Sequence, residues 1–375
     1  MNLNVSIASR KILGKNGASR IILKRMEFFI FRDLGAHLIL YTERYNKNII
    51  PEGVTVRKNL SFSLNKTKRR INYASRYEQV CKKYQIGLSI GNGDTFFQDV
   101  LFMHNIIELE HRVQNSESYK KSAIFKVHDE ILKNKRFKIL INNSMMMKNF
   151  FSEKYGLSEE KSFVVYPGYD PDIFNTKNLA DIKIGFRGRY GIKTDFVIGF
   201  VTSGNLPKRG IDIFFEAVLM LPSELLKNAK ILVVGHKKDI LPFVKSEFLL
   251  KKIAVVEPFG RVEELYKSID LMVHPARIEE FGMVVLEAMA CGVPVITSKM
   301  VGASEIYAGE LKEIVVDKPS PNLFANKMSK FLIERDSVSY YGRLSEECTK
   351  GYTWSNYMGR LVDIYKSNNL LPEGF

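Results

Sequence analysis

The chain is poor in cysteine. It holds three in 375 residues, and Cys81, Cys291 and Cys348 lie too far apart to frame a disulfide scaffold or a zinc site. Such usage fits a reducing cytoplasm. No run of 18 apolar residues occurs, which argues against a membrane-spanning helix, and Met1-Asn2-Leu3-Asn4 shows no basic segment leading into an apolar stretch, so no secretory signal is expected. A P-loop, GxxxxGK followed by Ser or Thr, is missing. Gly91-Asn92-Gly93 lacks the third glycine of a GxGxxG turn, and Gly185, Gly188 and Gly191 are not expected to open a helix. These absences argue against a P-loop NTPase and against a dinucleotide-dependent redox enzyme. His37, His111, His128, His236 and His274 show no ligand spacing, so no metal is expected. Repeats, low-complexity tracts and heptads are absent as well.

What remains is an ordinary globular balance, 45% hydrophobic and 26% charged, in a chain long enough for two domains. The charge is unevenly placed. Residues 1–180 hold 30 Lys and Arg against 17 Asp and Glu, a net of +13 of the chain's +15. Clusters include Lys66-Thr67-Lys68-Arg69-Arg70, Lys120-Lys121 and Lys133-Asn134-Lys135-Arg136-Phe137-Lys138. Such a half-molecule field attracts nucleic acid, an anionic membrane surface or a phosphorylated substrate. On charge alone, a basic nucleic-acid-binding protein stays open, although the clusters contain no aromatic RNA-recognition motif.

Short apolar runs alternate with helical spacing along the chain. Strands are predicted at Val5–Ser9, His37–Tyr41, Ile86–Ile90, Val100–Met103, Ile139–Asn142 and Phe163–Tyr166. A second set covers Val197–Val201, Ile231–Val234, Ile253–Val256, Leu271–His274 and Val293–Thr297. Helices are predicted at Ser19–Leu34, Ile211–Leu221 and Met283–Ala290. Continuous apolar strands in βαβ rhythm imply parallel sheets buried on both faces, in two doubly wound, Rossmann-like domains. The seam is expected in Pro167–Ala180, and a cleft between the domains at the carboxyl ends of both sheets.

Two stretches carry chemistry. In Glu279-Glu280-Phe281-Gly282-Met283-Val284-Val285-Leu286-Glu287, a helix opens at Phe281-Gly282, and its free amides and partial positive charge suit an anion. Gly282 lets a phosphate approach the backbone, while Glu279 and Glu287 suit sugar hydroxyls on either side of it. A buried helix with one capping acid and one surface acid also accounts for this pattern. In Gly204-Asn205-Leu206-Pro207-Lys208-Arg209-Gly210, adjacent cations before a helix suit a diphosphate leaving group, and a solvated basic turn is the alternative.

In combination, these stretches resemble the signature of retaining family 4 glycosyltransferases of the GT-B fold. Val165-Tyr166-Pro167-Gly168-Tyr169-Asp170-Pro171 is similar to that family's interdomain segment, and Asn143-Ser144 and Trp354 stand at its usual positions. The likeness spans residues 140–367 and is weaker before them. It implies domains at 1–174 (acceptor-binding, basic) and 175–353 (nucleotide-sugar-binding), with 354–375 a helix packed back on the first. It further implies Glu279 and His104 as catalytic residues at the transferred sugar, and Glu287 at the ribose. The amides of Phe281, Gly282, Met283 and Val284 would hold phosphate, Lys208 and Arg209 the diphosphate, with Gly204 and Asn205 beside them. Arg261 and Val262 would border the base. Gly14-Lys15-Asn16-Gly17-Ala18-Ser19-Arg20 resembles the family's Gly-Gly-x-x-Arg loop with Asn16 for the first glycine, placing Gly17 at the donor phosphates. Arg20 and Asp99 fall on the acceptor side. The order Lys208-Arg209-Gly210 departs from the family's Arg-Lys-Gly or Glu-Lys-Gly, which leaves open which side chain reaches the phosphate.

The activity implied is metal-independent, retaining hexosyl transfer from a nucleotide-sugar, UDP-linked, to a phosphorylated or lipid-linked glycan acceptor. No cofactor and no nucleic acid are expected. The enzyme would be cytoplasmic, in peripheral contact with the anionic inner face of the cytoplasmic membrane, and similar to hexosyltransferases of the lipopolysaccharide core. A GDP-mannose donor, or a sugar-nucleotide epimerase or hydrolase, remains an alternative.

Overall fold

The structure is a computed structural model. It describes all residues except 1–2, 15–16, 32–36, 60–62, 115, 194–195, 203, 258–259 and 373–375. Two compact units divide the chain: Met1–Pro167 with Trp354–Phe375, and Gly168–Thr353.

The first unit is built on a seven-stranded parallel sheet. Its strands are Asn4–Ala8 (β1), His37–Thr42 (β2), Thr55–Lys58 (β3), Leu88–Gly91 (β4), Val100–Met103 (β5), Ile139–Asn142 (β6) and Ser162–Val164 (β7), in the order β3-β2-β1-β4-β5-β6-β7. Register is set by apolar pairs: Val5 lies opposite Leu38 on one side and Leu88 on the other. Both faces of the inner strands β5 and β6 are covered, which explains the apolar runs Val100–Met103 and Ile139–Ile141. The edge strand β3 escapes an apolar-run criterion because three of its four residues, Thr55, Arg57 and Lys58, are polar. Helix α1 (Gly17–Phe31) buries Ile21, Ile22, Met26 and Phe29, and the last helix of the chain, Trp354–Ser367, contributes Tyr357, Met358, Leu361 and Tyr365 to the same core. Helix α2 (Lys66–Lys83) is capped by Asn65, whose side chain accepts from the amides of Thr67 and Lys68.

The second unit has a six-stranded parallel sheet: Phe196–Phe200 (β8), Ala229–Val234 (β9), Ile253–Val256 (β10), Leu271–His274 (β11), Val295–Ser298 (β12) and Val315–Val316 (β13), ordered β10-β9-β8-β11-β12-β13. Three helices position the site: α3 (Ile211–Leu219), α4 (Val262–Ser268) and α5 (Met283–Ala290). Helix α5 starts at Gly282 and ends where Gly292 turns left-handed at φ +74°, with its amide bonded to Met289 O at 2.9 Å. Gly185 and Gly188 lie inside the helix Leu179–Arg189. Among the described residues, no helix is long and apolar enough to cross a membrane.

Candidate functional site

In the second unit, two loops at the carboxyl edge of the sheet meet. One follows β8 and holds Gly204 to Gly210, and the other follows β11 and holds Pro275 to Gly282. Their docking is backbone work: Arg277 N donates to Lys208 O at 2.9 Å, and the Arg277 guanidinium donates to Pro207 O at 2.8 Å. Arg277 also forks onto Asp212, at 2.8 and 2.6 Å, in the first turn of α3. Gly210 is required here twice over, because its φ is +74° and a Cβ would lie 2.1 Å from Pro275 O. Asn205 accepts from Lys208 N at 3.0 Å through Oδ1, closing the turn. Beside Gly204 a Cβ would meet nothing within 4 Å, so that stretch of backbone is approachable. Ser203, in the same loop, lies outside the described residues.

These loops bring Lys208, Arg209 and Glu279 together and add two residues that spacing did not single out, His274 and Glu280. Arg209 Nη2 lies 2.9 Å from Glu279 Oε1, and His274 Nε2 donates to Glu279 Oε2 at 2.5 Å. Lys208 Nζ is shared between both oxygens of Glu280, at 3.3 and 3.2 Å, with both side chains buried. Burial by itself would raise the Glu279 carboxyl, but Arg209, His274 and Lys208 outweigh it and hold its pKa down to about 2. Glu279 is therefore a carboxylate at any physiological pH, an acceptor of hydrogen bonds and no proton donor. Its backbone is anchored by Glu279 N to Met300 O and Gly302 N to Glu279 O, both 2.9 Å.

Gly282 caps α5 at φ +101°, and a Cβ on it would stand 3.1 Å from Val301 and 3.6 Å from the Glu279 carboxyl carbon. The amino end of α5, with Phe281, Met283 and Val284, thus opens beside Glu279 and offers first-turn amides to an anion. Arg209 Nη1 is buried and has no hydrogen-bond partner among the described residues. Glu287, one turn into α5, is buried and accepts from Tyr266 Oη of α4 at 3.1 Å. Arg261 precedes α4, mostly exposed and 2.7 Å from Glu264, and Val262 is the first residue of that helix.

The remaining sequence-predicted residues belong to the first unit. His104 follows β5 at its carboxyl end. Its Nε2 is 3.0 Å from Asn92 Oδ1 and its Nδ1 is 3.4 Å from Asn143 Nδ2. Burial, then the charges of Arg25 and His128, push its pKa down to about 3, so the ring is neutral. Gly17 and Arg20 lie in the first turn of α1, and Lys15 and Asn16 before them fall outside the described residues. Asp99 stands at the amino end of β5, a strand's length from His104. Its carboxylate takes Ser89 N at 2.9 Å, Ser89 Oγ at 2.6 Å and Lys138 Nζ at 2.9 Å, tying β4 to β5. Ser144 caps the helix Met145–Tyr155 by accepting from Met147 N at 3.3 Å.

Residues 186–348, all within the second unit, match the family model described as Glycosyl transferases group 1. That stretch of the second unit is similar to the glycosyltransferase group 1 model, and the fold of the two Rossmann-like units is that of GT-B glycosyltransferases. It is 31% identical to the lipopolysaccharide glucosyltransferase WaaG of Escherichia coli over 45% of this chain and 46% of that protein. With a D-inositol 3-phosphate glycosyltransferase of Catenulispora acidiphila it shares 25% identity over 61% of this chain and 57% of that one. The first curated relatives it matches are covered over 46% to 65% of their length. In three dimensions, WaaG superposes with a TM-score of 0.80 at 19% identity, over 99% of this chain and 100% of that one. HepE of Anabaena, in complex with UDP and glucose, superposes with a TM-score of 0.76 at 17% identity, over 98% and 100%.

Proposed function

We propose that this protein is a retaining hexosyltransferase that uses a UDP-linked sugar without a metal and acts on a phosphorylated or lipid-linked glycan of the cell envelope, at the inner face of the cytoplasmic membrane. The observation that carries the reading is Arg209: a half-buried guanidinium braced through Nη2 on Glu279, the carboxylate beside the Gly282 cap of α5, with Nη1 left without a hydrogen-bond partner among the described residues. A guanidinium and the amides of a helix start, each next to the same carboxylate, suit a diphosphate. They oppose charge as it develops on the leaving group, which is where preorganised donors accelerate a reaction. Glu279, kept ionised, accepts from the hydroxyls of the transferred sugar, and Glu287, positioned by Tyr266, accepts from the ribose. In front-face substitution the nucleoside diphosphate departs from the side on which the acceptor hydroxyl attacks, and the leaving phosphate takes the hydroxyl proton. No side chain then has to act as a covalent nucleophile.

The relatives support the class of donor and acceptor: HepE is in complex with UDP and glucose, and the inositol relative is named for a phosphorylated acceptor. Calorimetry with UDP, GDP and ADP, in the presence of chelator, tests the reading on wild type and Glu287→Ala. Tight UDP binding that is lost in the variant is the expected result. Preference for GDP moves the reading to a mannosyl-type donor, and absence of nucleotide binding ends it.

A further inference from the structure

A second charged cluster sits at the carboxyl edge of the first sheet, on residues the donor reading does not use. Arg10 follows β1, Glu43 follows β2 and Asp94 follows β4, while Arg69 and Arg70 stand in the first turns of α2. The winding of the sheet reverses between β1 and β4, so Arg10 and Asp94 flank the point where open α/β sheets leave a crevice for a ligand. Asp94 is fully engaged, by Arg10 N at 3.2 Å and by Arg70 Nη1 at 3.0 Å. Glu43 is held loosely, with Arg10 Nε at 3.5 Å and Arg69 Nε at 4.0 Å, too far for good hydrogen bonds. Lys11 and Arg44 lie opposite each other in a short parallel pair of strands just beyond β1 and β2. Burial, then the charges of Arg10, Arg44 and Arg69, depress the Lys11 ammonium.

Three local rules are broken at this spot. Like charges face each other across a strand pair, which is destabilising. Lys66, Lys68, Arg69 and Arg70 crowd the amino end of α2 with no acid in its first turn, against the helix dipole. Arg10 Nε, Arg69 Nε and Glu43 Oε1 are buried without a hydrogen-bond partner among the described residues. Five cations (Arg10, Lys11, Arg44, Arg69, Arg70) stand against two carboxylates, an excess of three positive charges. Sites where local rules fail together are where function is expected.

We propose that this cluster is a phosphate subsite, holding a phosphomonoester carried by the acceptor. A dianion with three oxygens answers the excess charge and supplies acceptors for the orphaned guanidinium nitrogens, which a single carboxylate cannot do. That the phosphate belongs to the acceptor rests on the glycosyl-transfer reading; the anion site itself does not.

The test titrates the full chain with glucose 6-phosphate and with glucose, at low and high salt, in wild type, Arg69→Gln and Glu43→Gln. Glucose 6-phosphate is expected to bind and glucose not, with affinity falling as salt rises. Arg69→Gln should weaken binding about tenfold, the loss of one charge-assisted contact. Glu43→Gln, which removes the competing carboxylate, should tighten it. Partial unfolding cannot imitate changes of opposite sign in two variants. Equal binding of both sugars, or affinities that neither variant moves, overturns the subsite. Vesicles of phosphatidylcholine with and without phosphatidic acid separate the sources. Loss of sugar-phosphate binding alone in Arg69→Gln supports a phosphate on a glycan, and loss of both supports a lipid-borne one. UDP binding is measured in parallel. UDP bound without phosphate discrimination defeats the subsite and spares the donor reading; phosphate bound without UDP does the reverse.

Discussion

Arg209 Nη2 and Glu279 Oε1 are 2.9 Å apart, and the pair divides the work of the site between its two members. Glu279 keeps Arg209 aimed, and Arg209, with His274 and Lys208, keeps Glu279 ionised. Arg209→Ala should lower kcat/KM by about 10²–10³, as expected for one preorganised donor to a developing anion. Arg209→Lys should recover little, since an ammonium cannot brace and donate in the same plane. Steady-state kinetics with a UDP-sugar decides it, and wild-type kcat/KM in Arg209→Ala would sink the assignment.

Lys208 behaves differently from its neighbour. Its charge is already matched by Glu280 inside the protein. Lys208→Met alone strands a buried carboxylate and should cost about 3–5 kcal/mol of stability. Lys208→Met with Glu280→Met should restore most of it. Urea denaturation of both variants reads the difference; a single variant as stable as wild type would show the pair to be dispensable.

Gly210 and Gly204 both have positive φ, +74° and +108°, but only Gly210 touches other backbone. Gly204→Ala should cost about 1–3 kcal/mol of strain. Gly210→Ala adds the clash with Pro275 O, so it should cost more and weaken UDP binding by separating the two loops. Thermal melts with and without UDP would show this, and equal effects at the two positions would refute it.

The histidines set an acid limit. His104 and His128 have pKa values near 3 in the folded protein against an ordinary 6.5, with burial the first cause for each. Between those values the unfolded chain binds more protons, so stability falls as pH drops from about 6.5 toward 3. Glu279, depressed to about 2 from 4.5, adds a contribution present above 4.5 that is lost as pH falls toward 2. Tm should therefore begin to decline below about pH 6.5, and His128→Gln should flatten that decline. A Tm that is level down to pH 4.5 would contradict it.

The excess charge of the first unit predicts attachment to anionic vesicles. With each basic side chain near such a surface worth about 1 kcal/mol, binding should be strong at low salt and weak at high salt. Sedimentation with phosphatidylglycerol vesicles measures this, and partition that ignores salt would count against peripheral attachment.

Much of the architecture was legible in the chain. Val100–Met103, Ile139–Asn142, Ile253–Val256 and Leu271–His274 are strands at the predicted bounds, because strands buried on both faces must be apolar throughout. Helix α5 runs over the predicted Met283–Ala290, since glycine stands where its ends need positive φ. Strands β3 and β13 were not legible: one is an edge with a single apolar residue, the other two residues long. Of the site, the residue types and their local order could be read, namely two cations before a helix and two acids around another. What the chain by itself determined, then, is everything that depends on neighbours in sequence: apolar runs, helix ends, glycine at tight turns and the basic bias of the first half. Only tertiary structure decided the partners. Lys208 meets Glu280 across 72 positions, Arg277 meets Asp212 across 65, and Arg10, just after β1, meets Glu43, just after the neighbouring β2. Such pairings follow from strand order and loop docking, and their strength depends on burial, a property of the assembled sheet that no local pattern carries.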